Sequence, residues 1–171
     1  MGALLLLAAC AGNPQVEVEV RPVEEAGGSV DDVAFGQGVF VAATPFRLLV
    51  SRDGENWQPI RAPARMNEVE YTEVGFLAVG NAGILMRSRD GVHWETLHLN
   101  PDWDLSGVAY GNGVYVFVVG LGEAWVSRDL KRFHRLKVAA QPSLDILGGD
   151  FGNNRFIFGG SVFRVLILRP K

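Results

Sequence analysis

Cysteine, histidine and net charge are all scarce in this sequence of 171 residues. Cys10 is the only cysteine, so the chain has no intramolecular disulfide. His93, His98 and His134 form no His-x-x-x-His pair and no zinc-type spacing with a cysteine, and we therefore expect no metal site. The net charge is only −3 and no basic cluster occurs, so we expect no nucleic-acid partner.

Long apolar runs and helical periodicity are also missing. No apolar stretch reaches the roughly 20 residues that a membrane-spanning helix needs, and none repeats at helical spacing. Gly36-Gln-Gly38 and Gly111-Asn-Gly113 open no helix, so they are not phosphate-binding loops, and we expect no cofactor. The sequence is instead rich in glycine, with 21 residues, and 48% of it is apolar, which predicts one turn-rich, all-β domain.

A short phrase occurs three times in the chain. The copies are Ser51-Arg-Asp-Gly-Glu-Asn-Trp57, Ser88-Arg-Asp-Gly-Val-His-Trp94 and Ser127-Arg-Asp-Leu-Lys-Arg-Phe133. They recur about every 40 residues, a period that indicates one supersecondary unit copied along an array or around a ring. The arginine recurs with the phrase, at Arg52, Arg89 and Arg128, and descent from one ancestral unit explains this better than an anion site does.

The repeated unit is longer than this phrase. Val33–Val41 aligns with Val108–Val116, Val69–Val79 is a looser copy, and Gly149–Phe158 is a fourth. In each unit two short apolar strands flank a Gly- or Asn-containing turn, a third strand ends at the serine, and a fourth begins at the aromatic residue. Four short strands per unit are typical of a β-propeller blade. We predict an all-β propeller of about four four-stranded antiparallel blades, at residues 31–61, 69–99, 106–138 and 147–168.

The phrase Ser-x-Asp-Gly-x-x-Trp resembles the Asp-box, or BNR repeat, of sialidase-like propellers and their many non-enzymatic relatives. The resemblance implies a turn between the third and fourth strands, in which the aspartate accepts backbone N–H groups and the aromatic residue wedges between blades. The implied structural residues are Ser51, Asp53, Gly54, Trp57, Ser88, Asp90, Gly91, Trp94, Ser127, Asp129 and Phe133. Leu130 stands where the other copies have glycine, so we expect an altered turn there.

The last unit lacks a fourth strand, and Val16-Glu-Val-Glu-Val20 is a candidate to replace it. Its apolar and acidic residues alternate with the period of a half-buried strand, and Pro22 then ends the pairing. One prediction is therefore a closed four-bladed ring completed by residues 16–20. The alternative is half of a ring, completed by a second copy or by another chain. An arc left open would need such a partner, since it exposes unpaired apolar strand edges that are prone to association.

The N-terminal run Leu4-Leu-Leu-Leu-Ala-Ala-Cys10 resembles a bacterial lipobox, in which the cysteine is lipidated. The resemblance implies a signal peptide at residues 1–10, a tether at 11–15, and an extracytoplasmic, membrane-anchored lipoprotein in the periplasm or on the cell surface. No Lys or Arg precedes the run, and a truncated ordinary signal peptide with an incidental cysteine is the alternative.

Loops between the second and third strands, together with the blade-to-blade connectors, are predicted to share one face of the ring. Candidate ligand residues on that face are Arg47, Asn81, Asp102, Trp103, Asp104 and Glu123. Trp103 between two carboxylates suits a sugar or a peptide, but the simpler interpretation is that it packs on the next blade while the aspartates cap turns. Arg47 and Glu123 either meet near the central channel or are simply solvated.

The function that follows is a non-catalytic interaction module. Short bacterial Asp-box propellers resemble assembly factors such as the photosystem II assembly factor family, which implies a protein partner, with a glycan as the other option. A sialidase-like hydrolase is the alternative, but it needs a tyrosine nucleophile with acidic partners in mouth loops. Tyr71, Tyr110 and Tyr115 all lie in predicted strands, so we expect no enzyme.

Overall fold

A computed structural model describes residues 19–20, 22–120, 123–136, 146–160 and 165–168. The predicted signal peptide with Cys10, the tether and most of the predicted strand at 16–20 lie outside the described residues. A 3-10 helix spans Glu24–Ala26. The strands are β1 (Asp32–Gly36), β2 (Val39–Ala43), β3 (Arg47–Ser51), β4 (Gln58–Arg61), β5 (Met66–Thr72), β6 (Gly75–Gly80), β7 (Ile84–Ser88), β8 (Glu95–His98), β9 (Leu105–Gly111), β10 (Val114–Val119), β11 (Glu123–Ser127), β12 (His134–Leu136), β13 (Ile146–Gly152), β14 (Arg155–Gly160) and β15 (Val165–Leu168).

These strands form four antiparallel sheets, which confirms the all-β prediction. Blades 1, 2 and 3 are the sheets β1–β4, β5–β8 and β9–β12, and blade 4 has the strands β13–β15 within the described residues. Neighbouring strands in each sheet are consecutive in sequence. Within the same residues, no helix has the length and hydropathy that a membrane crossing requires.

Two-residue turns join the first and second strands of each blade. Gln37 and Gly38 have φ of 50° and 74°, and Asn112 and Gly113 have φ of 51° and 70°. Such paired positive φ angles match the twist of antiparallel hairpins, which explains the Gly and Asn found at these positions. The predicted third strands at residues 47–51 and 84–88 coincide with β3 and β7.

The first strand of each blade is the innermost one. β1 lies beside β5, β5 beside β9, and β9 beside β13, but β13 does not pack along β1 among the described strands. The four sheets therefore form an arc that is not closed. Its lower face carries the β1–β2 type turns and the repeated phrases, and its upper face carries the β2–β3 type loops and the connectors between blades.

The hydrophobic core lies between consecutive blades. Three clusters of buried residues join blade 1 to blade 2, blade 2 to blade 3, and blade 3 to blade 4, with the fully buried Phe76, Phe117 and Phe158 among them. Because side chains alternate along a strand, each blade presents apolar residues to both neighbours. A further cluster packs Val23 and Ala26 onto blade 1, beside Trp57.

The repeated phrases form near-identical turns, which we call the repeat turns (residues 51–57, 88–94 and 127–133). In the second, Asp90 Oδ1 accepts the N–H groups of Val92 and His93 at 2.9 and 2.8 Å, and Ser88 Oγ accepts that of Gly91 at 2.8 Å. Trp94 Nε1 closes the turn by donating to the Gly91 carbonyl at 2.9 Å. The first repeat turn has the same bonds.

The third repeat turn corrects one expectation. Leu130 does not alter it: Asp129 Oδ1 still accepts two backbone N–H groups, at 3.0 and 2.9 Å, and Leu130 takes a φ of 56°. Left-handed backbone is unfavourable for a leucine. Leu130 and Phe133 pack onto the cluster between blades 2 and 3, and this burial offsets the strain.

Candidate functional site

The inner strands enclose a cavity of about 430 Å³ on the axis of the arc, which we call the central cavity. Residues of β1, β5 and β13, and Asp31 just before β1, line it. The lining is acidic, with Asp31, Asp32, Glu68, Glu70 and Asp150. Two close carboxyl groups are the usual apparatus of acid–base chemistry, so their contacts decide whether this cavity is a catalytic site.

The carboxylates of the central cavity accept backbone N–H groups of the inner strands. An inner strand pairs with a neighbour on one side only, which leaves alternate N–H groups facing the axis without a strand partner. Asp32 Oδ1 accepts the N–H of Val33 at 2.8 Å. Its Oδ2 accepts the N–H of Val69, in the next blade, at 3.0 Å. This carboxylate therefore ties blade 1 to blade 2.

Glu68 does the same for three blades. Its carboxylate accepts the N–H of Val108 in blade 3 and, at 2.9 Å, that of Gly149 in blade 4. A methyl group at Gly148 would lie 2.8 Å from Glu68 Oε1, so the glycine leaves room for this contact. Burial raises the pKa of Glu68 to about 8, although the two N–H donors oppose the shift.

Glu70 is the second acid of the central cavity whose proton affinity is raised. Burial, and then the nearby Glu68 and Asp150, raise the pKa of Glu70 to about 10, so Glu70 is protonated at neutral pH. Asp150 Oδ1 accepts the N–H of Phe151 at 2.6 Å, whereas the buried Glu70 Oε2 has no hydrogen-bond partner among the described residues. Asp32, Glu68 and Asp150 thus cap the free edges of inner strands, which is a structural use of these three groups.

The β2–β3 loop of blade 1 presents an aromatic residue on the upper face. Thr44 is buried, and its Oγ1 donates to the carbonyl of Arg47 at 2.8 Å and accepts the Arg47 N–H at 3.2 Å. These bonds fix a tight loop, and its tip residue Phe46 is 64% exposed. Val30, in the segment leading into β1, is exposed as well. The next residue, Asp31, forms an ion pair with Arg65, in which Oδ2 and Nη2 are 2.6 Å apart.

The structure brings two predicted ligand residues together on the upper face, at the junction of blades 2 and 3. Asn81 Oδ1 accepts Asn67 Nδ2 at 2.8 Å, and the same Nδ2 lies 2.8 Å from the Leu105 carbonyl. Asp104 Oδ1 accepts the N–H of Ala82 at 3.3 Å. Asn81 and Asp104 therefore fasten the upper loop of blade 2 to the next connector.

Trp103 is not presented to solvent as a free aromatic platform. Its ring lies 4.7 Å from that of Trp125 and 5.5 Å from that of Phe133, both in blade 3. Asp102 beside it is exposed, and its N–H donates to Asn100 Oδ1 at 3.0 Å. This packing corresponds to the simpler of the two interpretations that the sequence allowed.

Arg47 and Glu123 do not meet at the axis. Both begin third strands, β3 and β11, which lie two strands away from the central cavity. Glu123 pairs with Arg135 on the outer strand β12. The idea that Arg47 and Glu123 form a pair near the channel is therefore wrong, because third strands are displaced outward from the innermost ones.

A second cavity, of about 510 Å³, lies on the lower side between blades 2 and 3. Arg87 and Glu95 in its wall pair at 2.7 Å, and His93 Nδ1 lies 2.7 Å from Asp90 Oδ2. Tyr115, one of the three tyrosines considered for catalysis, lines this cavity, and burial raises its pKa. Within the described residues, no group of His, Cys, Asp and Glu could hold a metal ion.

Comparison with known proteins bears on the fold. No family model and no curated protein sequence matches the chain. The designed protein Ika4 superposes with a TM-score of 0.62 at 13% identity, over 82% of this chain and 91% of Ika4. YCF48 bound to a D1 peptide superposes with a TM-score of 0.56 at 14% identity, over 82% of this chain and 49% of YCF48. A chain of a nidogen–laminin complex superposes with a TM-score of 0.69 at 12% identity, over 93% of this chain and 65% of the matched chain. The fold is a β-propeller.

The likeness at these identities shows the fold alone. Other similar structures include enzymes, a streptogramin B lyase and an ancestral GH74 enzyme. The propeller spans about half the length of YCF48 and nearly all of Ika4. Activity and partners of this propeller must therefore be argued from its own residues.

Sequence reasoning missed the acids of the central cavity. Glu68 and Glu70 stand in β5, at positions where β9 has Gly107 and Ala109. An acid at an inner-strand position opposite a glycine of the following blade is the signal that could have found them. It is readable only once the inner strands are known to face one another across an axis.

Proposed function

We propose that this propeller is a non-catalytic module that binds another protein through the upper face of blade 1. The observation that carries the proposal is Phe46, a large aromatic side chain held out to solvent by a loop that Thr44 has already ordered. Binding hot spots favour aromatic residues, and a preordered loop loses little conformational entropy on association. Arg65 beside Asp31 supplies a polar rim.

The non-catalytic part of the proposal is supported by the way the acids are used. Asp32, Glu68 and Asp150 of the central cavity bond to backbone N–H groups, and Asp31 pairs with Arg65, which supports a structural use of these acids. We also propose that the repeat turns belong to the Asp-box class, since their aspartates accept the N–H groups that this resemblance implies.

The test is capture of partners from the membrane envelope of the source organism. Phe46→Ser should abolish capture of a protein that the unmodified propeller retains, while Val92→Ser, an exposed valine on a lower-face turn, should not. Equal capture by both variants would contradict the proposal. Circular dichroism should show both variants folded, because neither side chain belongs to a core cluster.

Two further proposals come from the resemblances. We propose that Cys10 is lipidated and anchors the propeller outside the cytoplasm. Incorporation of a fatty-acid analogue, lost on Cys10→Ala, tests this, and no incorporation would reject it. The alternative of a sialidase-like hydrolase would require hydrolysis of a fluorogenic sialoside, and we expect none.

A further inference from the structure

Each blade has a face that packs on the preceding blade, which we call its leading face. Corresponding residues can be compared on three blades: Val69 of blade 2 is 3% exposed, Val108 of blade 3 is 0% exposed, and Val33 of blade 1 is 50% exposed. The repeat makes these three positions equivalent in sequence and in register along the inner strand. The leading face of blade 1 is therefore uncovered along its inner strand, whereas Val23 and Ala26 cover Ala42 and Leu49 farther out on the same face.

In blades 2 and 4, an aromatic residue on the leading face covers a glycine of the preceding blade. The ring of Tyr71 lies on Gly36 of blade 1, and that of Phe151 lies on Gly111 of blade 3, so closely that a methyl group on either glycine would overlap the ring. Phe35 is the equivalent aromatic of blade 1, and it is 57% exposed. Within the described part of the chain, the partner it lacks is a glycine of this kind.

That glycine is present at the other end of the arc. Gly152 of blade 4 corresponds to Gly36 and Gly111, and a methyl group built on it would meet no atom of the described residues within 4 Å. Ile157 beside it is partly exposed, whereas the equivalent Val41, Leu77 and Val116 are buried. Blade 4 thus offers the surface that the leading face of blade 1 lacks.

The repeat turns give the same result independently. Gly91 of blade 2 faces blade 1, and a methyl group there would come within 2.7 Å of Val39. Leu130 of blade 3 packs into the cluster that joins it to blade 2. A methyl group on Gly54 of blade 1 would meet, among the described residues, only the Phe40 ring of its own blade, at 3.9 Å.

We propose that the leading face of blade 1 is an assembly surface that receives blade 4 of a second copy of this chain, with Phe35 seated on Gly152 of the second copy. The surface continues a series of three interfaces between blades, so its complement is a further blade of the same kind. β13 and β1 of one chain do not lie side by side. A second copy supplies the missing blade, and two such contacts, made head to tail, close one ring from two chains.

This assembly is separate from the binding of a protein by Phe46 on the upper face. Phe35 lies in an inner strand and its ring contacts that of Phe40, 4.6 Å away. A failure of the upper-face proposal therefore leaves this one standing, and the reverse also holds.

Disulfide trapping tests the contact directly. In the Cys10→Ala background, the double variant Phe35→Cys, Gly152→Cys should form a covalent dimer under mild oxidation, seen on non-reducing gels and by light scattering. The matched control Val92→Cys, Gly152→Cys keeps the same number of thiols and should remain at monomer mass. A disulfide within a single chain, or no disulfide at all, would overturn the proposal.

Equilibrium measurements avoid dependence on cysteine chemistry. In the full chain carrying Cys10→Ala, Phe35→Asp should weaken dimerisation at least tenfold by sedimentation or light scattering. Val92→Asp should leave it unchanged. A monomer at all concentrations with an unmodified Phe35, or a dimer insensitive to Phe35→Asp, is the result that would refute the second copy as occupant.

Discussion

Carboxylates accept backbone N–H groups in two regions of this propeller, and their proton affinities move in opposite directions. In the repeat turns, hydrogen bonds from the turn hold the pKa values of Asp53, Asp90 and Asp129 well below the usual range. In the central cavity, burial raises the pKa values of Glu68 and Glu70. Backbone N–H groups donate to carboxyl oxygens in both regions, so solvent exposure decides whether the pKa is raised or lowered.

The difference also separates two structural tasks. A repeat turn orders seven residues within one blade, and water reaches its N–H groups if the aspartate is lost. Glu68 joins strands of three blades in a place where water does not replace it readily. The cavity acids should therefore contribute more to stability per hydrogen bond than the turn acids.

The largest predicted effect is the loss of Glu68. Glu68→Leu keeps the volume but leaves the N–H groups of Val108 and Gly149 without an acceptor, which should lower the free energy of unfolding by about 4 kcal/mol. Urea denaturation measures it. Glu68→Gln, which retains one acceptor oxygen, should cost about half as much. Equal losses in the two variants would show that the hydrogen bonds are not the cause.

The next effect is a pH dependence of opposite sign in the two regions. The pKa of Glu68 is raised from 4.5 to about 8, so the folded state binds more protons between these values, and stability should fall as pH rises through them. The turn aspartates have lowered pKa values, so their stabilisation is present above about pH 4 and is lost as pH falls further.

Unfolding measured from pH 5 to 8.5 checks this expectation. The free energy of unfolding should decrease by a few kcal/mol across the range, and Glu68→Gln should flatten the curve. Glu70, whose pKa is raised to about 10, retains its own slope in that variant. A curve that rises with pH over this range would reverse the assignment of Glu68 as a buried, proton-binding group.

The sequence reveals these two regions unequally, and the reason is physical. A repeat turn makes its hydrogen bonds among residues two or three apart, so Ser88, Asp90 and Trp94 predict the turn from spacing alone. Glu68 meets a backbone N–H group 81 residues away, and no local pattern encodes that contact. The strands and blades were predictable for the same reason as the turns, while the exposure of Phe35 depends on what lies beside blade 1.

A smaller effect is expected from Asp90→Ala. The N–H groups of Val92 and His93 lose their acceptor, but they lie on an exposed turn where water replaces it, so the cost should be about 1 kcal/mol. Asp90→Asn preserves a side-chain oxygen and should cost less. Urea denaturation beside Glu68→Leu gives the comparison, and a loss as large as that of Glu68→Leu would erase the distinction between the two regions.

The smallest effect concerns position 130, where the third repeat turn has leucine. Leu130→Gly relieves the strain of a leucine in left-handed backbone, which should raise the free energy of unfolding by about 1 kcal/mol. The same substitution removes apolar contact with the cluster between blades 2 and 3, which should lower it by about as much. The free energy of unfolding should change by less than about 0.5 kcal/mol. The reciprocal Gly91→Leu should be far more harmful, because Val39 already lies against Gly91. Equal changes in the free energy of unfolding for the two variants would contradict the idea that packing against the neighbouring blade determines which residue each turn accepts.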